Sequence, residues 1–168
     1  IPEAEATLKS LLSDGNENMR KVVFYALSRC GSKNSIKVLS SAAQAVNYEM
    51  EKTGITESYI ALLKRVLLQG DVKDAEKAAT DLMKKAGKAG QTQVREVALE
   101  IQIAAKSGDV LKLVQNALKD KDRDYRYAAL NFASKYTNAA FYGEMIKVYQ
   151  KAKPEVKVDI LTWLNQES

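Results

Sequence analysis

The chain has 168 residues, 46% hydrophobic and 28% charged, with 8 Gly, 2 Pro, one Cys and no His. Without His there is no Ser-His-Asp triad, no Cys-His dyad and no His-bound metal, and a single Cys makes neither an internal disulfide nor a Cys-based zinc site. The 26 Lys and Arg against 21 Asp and Glu leave a net +5, distributed as +1 over 1–34, +1 over 35–70, +1 over 71–108, +2 over 109–138 and 0 over 139–168. An excess spread this thinly, alternating in sign along helical surfaces, describes solvated faces and argues against a nucleic-acid stripe.

Apolar residues recur at three and four along nearly the whole chain, and the Gly residues fall mostly between such segments. The spacing predicts helices over 2–13, 17–30, 35–53, 56–69, 72–87, 92–107, 110–119, 123–136, 138–152 and 155–166. These form five antiparallel pairs within repeats of about 1–33, 34–70, 71–108, 109–137 and 138–168. Leu8, Leu11 and Leu12 make one apolar stripe. Val94, Val97, Ala98, Ile101 and Ala105 make a second, and Tyr125, Ala128, Ala129, Phe132, Ala133 and Tyr136 a third. Each helix has one apolar face, so no pair can bury itself alone. Strand signals are almost absent. Cys30 falls in an apolar helical pattern and is expected to be a small buried hydrophobe. No apolar run approaches the roughly 18 residues of a membrane span. The chain begins at Ile1-Pro2 without an initiator Met and is expected to be a piece of a longer protein.

The second helices align with one another. Their register positions, Met19, Ser58, Val94, Tyr125 and Val156, lie 39, 36, 31 and 31 residues apart, and self-similarity at such a period marks a repeat architecture. Leu8-Lys9-Ser10-Leu11-Leu12-Ser13-Asp14 precedes Met19-Arg20, and Val114-Gln115-Asn116-Ala117-Leu118-Lys119-Asp120 precedes Tyr125-Arg126. Leu-x-x-Leu-Leu-x-Asp, four residues, then an apolar residue and Arg resembles HEAT repeats over the whole chain, well in repeats one and four, less in three and five, and poorly in two. The resemblance implies an all-α superhelix, a solenoid of about five HEAT-like helix pairs. It also implies that Asp14, Arg20, Arg95, Asp120 and Arg126 tie turns and repeats together, and that the second helices line a concave face. Lys21, Tyr25, Lys64, Glu96, Glu100, Tyr127 and Asn131 are the candidate binding residues on that face.

The closing stretch, Met145 to Tyr149 and Pro154 to Leu164, is also similar to HEAT-like regions of bacterial extracytoplasmic 3-keto-disaccharide hydrolase-type proteins. In those proteins the sugar chemistry belongs to a separate domain, so no catalytic residue carries over. Gly87-Lys88-Ala89-Gly90-Gln91-Thr92 fails as a phosphate loop, because it lacks the spacing and the preceding strand. Asp120-Lys121-Asp122-Arg123-Asp124 fails as a calcium loop, with Tyr125 where Gly belongs and Asn131 where Glu belongs. The expected function is a non-catalytic scaffold or protein-interaction module without cofactor, its partner a protein or a neighbouring domain, with a glycan as the next choice. The rivals are an accessory domain of an extracytoplasmic carbohydrate-processing protein and a nucleic-acid-binding solenoid. The compartment is extracytoplasmic under the first rival and cytoplasmic otherwise.

Overall fold

The computed structural model describes residues 2–13, 16–106 and 109–167. Among them are ten α-helices and no strand: α1 (Pro2–Ser10), α2 (Glu17–Cys30), α3 (Ile36–Ala45), α4 (Ile55–Leu68), α5 (Val72–Lys88), α6 (Thr92–Ala105), α7 (Val110–Ala117), α8 (Arg123–Ala133), α9 (Ala139–Lys151) and α10 (Pro154–Glu167). Asp14, Gly15 and Gly108, which the sequence places in inter-helix turns, lie outside the described residues.

Short polar side chains cap α2, α8 and α9, satisfying first-turn N–H groups. Asn16 Oδ1 accepts from the N–H groups of Asn18 (2.9 Å) and Met19 (3.2 Å) at the head of α2. Asp122 Oδ1 does the same for Asp124 (3.0 Å) and Tyr125 (3.3 Å) at the head of α8. Asp120, five residues before Tyr125, accepts from Asp122 N at 3.0 Å and so holds the turn one step earlier.

The expected helix over 35–53 stops at Ala45. Asn47 and Tyr48 take left-handed backbone, φ 51° and 57°, and Tyr48 N–H closes on Ala43 O at 2.9 Å. Asn adopts this conformation readily, whereas for Tyr it is strained. The Tyr48 side chain is 2% exposed, so burial of its ring offsets the strain. The apolar period runs on through a residue that turns the chain instead of extending the helix.

The chain divides into two units, 1–105 and 106–168. In the first, α1 packs on α2, α3 on α4 and α5 on α6; between pairs, α2 packs on α4, α4 on α6 and α3 on α5. Helix α4 touches α2, α3, α5 and α6, and Ile55, Tyr59, Leu62, Leu63 and Val66 on it are buried. The buried face of α5 is mostly alanine, Ala75, Ala78, Ala79 and Ala86, small side chains that let neighbouring backbones approach. In the second unit α7 packs on α8, α9 on α10, α7 on α9 and α8 on α10. Its core is organised by Trp163, 0% exposed. The indole stacks on Tyr142 at 5.8 Å, meets Phe141 edge-on at 6.2 Å, and donates its N–H to Ser134 Oγ at 2.9 Å. An aromatic of this size is buried with its one donor satisfied.

Cys30 departs from expectation: it is exposed. As the last residue of α2 it lies beyond the buried run Val23, Phe24, Leu27 and Ser28, where the helix leaves the core.

Candidate functional site

In the first unit the sequence-selected residues sit on three second helices. Lys21 and Tyr25 are exposed on α2, and Lys64 is exposed on α4. Glu96 and Glu100 are half-buried on α6. Two of them are brought together, with Lys64 Nζ 2.7 Å from Glu100 Oε2 in an ion pair joining α4 to α6. Exposed pairs of this kind contribute little to stability. Tyr25 has company that the sequence reading missed. Met19 and Val22 are also exposed, Val22 at 62% and Tyr25 at 65%, so Met19, Val22 and Tyr25 at i, i+3 and i+6 form an apolar row on the side of α2 away from buried Val23 and Leu27. Arg20 is half-buried; its main-chain N–H donates to Asn16 O at 3.0 Å, and its side chain has no hydrogen-bond or ion-pair partner among the described residues. Arg95 lays its stem on α5, with Cδ 3.3 Å from where a Cβ on Gly87 would stand.

In the second unit Arg126 is buried, 4% exposed. Its Nε donates to Asp159 Oδ2 at 2.7 Å, and its Nη1 to the main-chain oxygens of Asp120 (3.0 Å) and Lys121 (3.1 Å). One guanidinium therefore holds α10 and the α7–α8 turn together. Arg123 adds a contact to Asp159 Oδ1 at 3.2 Å from the surface. Asn131 is exposed, whereas Tyr127, expected off the core, is half-buried. The Tyr127 hydroxyl is buried without a hydrogen-bond partner among the described residues.

The turn held by Arg126 is one wall of a groove of about 870 Å³. The other wall is the α9–α10 turn. Leu118, Val148, Ala152 and Val156 supply its apolar surface, and Lys119, Lys121, Lys151 and Lys153 its cations. All four lysines are exposed. Lys119 Nζ reaches Asn116 Oδ1 at 3.4 Å, and among the described residues Lys121, Lys151 and Lys153 have no ion-pair partner. Asp120 and Glu155 are the carboxylates of the lining. The signal was present in the sequence as Lys-x-Lys in two turns, Lys119-Asp120-Lys121 and Lys151-Ala152-Lys153. Summing charge over whole repeats conceals it, because repeat five is neutral overall.

Among the described residues no group of three or more His, Cys, Asp or Glu is arranged to hold a metal ion, and no helix is long and apolar enough to cross a membrane. No protein-family model, no curated protein and no solved structure matches the chain.

Proposed function

We propose that the chain is a non-catalytic interaction module built from HEAT-like helix pairs, whose second helices present a surface to a polypeptide partner. The packing in each unit supports the architecture: pairs are adjacent in sequence, and second helices lie against second helices, α2 on α4 on α6 and α8 on α10. Such units cannot bury their apolar faces alone, and stacks of them are commonly used to bind extended partners. The observation that carries the functional reading is the row Met19, Val22 and Tyr25. Three large side chains lie side by side on the outer face of a helix whose inner face is already buried. An exposed apolar cluster marks an interaction surface, and Tyr is a frequent anchor in one.

The test is affinity capture with the tagged protein beside a Val22→Ser/Tyr25→Ser variant. A polypeptide retained by the first and lost by the second, with circular dichroism and melting unchanged, is the expected result. Identical recovery by both proteins would reject the α2 face.

A further inference from the structure

We propose that the groove between the α7–α8 and α9–α10 turns docks an acidic polypeptide segment that carries an apolar side chain among its carboxylates. This site lies wholly within residues 115–156 and does not depend on the α2 face.

Three features define the occupant. The first is charge. Four lysine ammoniums border the groove, against two carboxylates. The fifth cation of the lining, Arg126, is already neutralised by Asp159, and Asp120 is engaged by the Asp122 N–H. The lining keeps a surplus of positive charge, four ammoniums to two carboxylates, and the N-terminal end of α10 adds positive potential from the same wall. Electrostatic complementarity selects an anionic partner. The second feature is the apolar floor. Leu118 and Val156 are buried beneath the opening, with Val148 and Ala152 beside them. A phosphodiester chain has nothing to place on such a surface, whereas a Leu or Phe side chain does. The third is that no aromatic residue lines the groove. Single-stranded nucleic acid is held by stacking its bases on aromatic side chains as well as by charge, and that platform is missing here. The volume lies within the range of roughly 300–1,000 Å³ usual for ligand clefts.

The groove is also firmly built. Arg126 draws the carbonyls of Asp120 and Lys121 inward, which fixes the main chain carrying Lys119 and Lys121. Pro154, at the first position of α10, fixes φ just after Lys153. The four lysine side chains are exposed on these two turns.

Fluorescence anisotropy with the whole chain tests the proposal. The probe is a labelled, end-blocked peptide with Leu flanked by Glu on both sides, compared with the same peptide carrying Gln for Glu and with a single-stranded oligonucleotide of equal charge. The acidic peptide is expected to bind in low salt, to weaken as salt is added, and to lose about tenfold in affinity in Lys119→Ser/Lys121→Ser/Lys151→Ser/Lys153→Ser. A variant that loses the same charge elsewhere, Lys37→Ser/Lys73→Ser/Lys84→Ser/Lys88→Ser, should bind as the natural protein does. Amide chemical-shift changes in the natural protein should centre on residues 118–121 and 151–156, a readout that needs no variant to fold. Equal affinity for the Glu and Gln peptides, no binding of either, equal losses in the two quadruple variants, or an oligonucleotide that binds through the four lysines where the acidic peptide does not would each overturn it.

Discussion

Arg126 and Asp159 form a buried ion pair between consecutive helix pairs of the second unit, with Nε 2.7 Å from Oδ2 and side chains 5% and 1% exposed. A pair this enclosed gains little over a well-packed apolar pair, but loss of one partner strands the other charge in a low-dielectric site, at a cost of about 3–5 kcal/mol. Asp159→Ala is therefore expected to destabilise the second unit by that amount in urea unfolding. Arg126→Met/Asp159→Leu should cost much less than the sum of the single changes. An Asp159→Ala protein as stable as the natural one would show that the pair ties nothing together.

Glu5 is a buried carboxylate of the first unit. Burial by itself raises its pKa, but hydrogen bonds from Ser35, Lys9 and Ser32 outweigh that and hold it at about 2, below the ordinary 4.5. Ser32 Oγ donates at 2.8 Å, and Lys9 Nζ stands 3.0 Å away. A pKa depressed in the folded state means stability that is fully present above about 4.5 and is lost as the pH falls toward 2. Thermal melts from pH 6 down to pH 2.5 should fall more steeply for the natural protein than for Glu5→Gln. Parallel curves would contradict the assignment.

Gly31 ends α2 at a place where no side chain fits. A Cβ there would stand 2.4 Å from the Leu27 carbonyl oxygen and 3.1 Å from Ser35 Oγ. The first clash is with main chain, which cannot step aside cheaply, and the second pushes on the hydroxyl that Glu5 uses. Gly31→Ala should lower stability by about 1–3 kcal/mol, the usual cost of overpacking. Because the two changes share Ser35, Gly31→Ala and Glu5→Gln together should cost less than their sum. An unchanged melting temperature for Gly31→Ala would count against the geometry of this turn.

Helices were the legible part, since a 3.6-residue period with polar caps leaves few alternatives; nine of the ten lie within a few residues of where the spacing puts them. The exception, α3, fails at Tyr48, because periodicity cannot distinguish a buried ring that extends a helix from one that ends it. Cys30 misleads for a related reason: an apolar register does not say where a helix leaves the core. The candidate site was harder to read. Tyr25 could be singled out because it falls off the core stripe, but the exposure of Met19 and Val22 depends on what packs beside α2. The four lysines of the groove belong to two turns about thirty residues apart in sequence. Only folding brings those turns to the same opening, and nothing in either Lys-x-Lys names its neighbour.

In the proposed function the second helices meet the partner. Site-specific photo-crosslinking tests it most directly, with a photoreactive phenylalanine at position 25 on α2 and, separately, at exposed position 77 on the first helix α5. A covalent adduct with a polypeptide is expected from position 25 and none from position 77. An adduct from position 77 alone would contradict it.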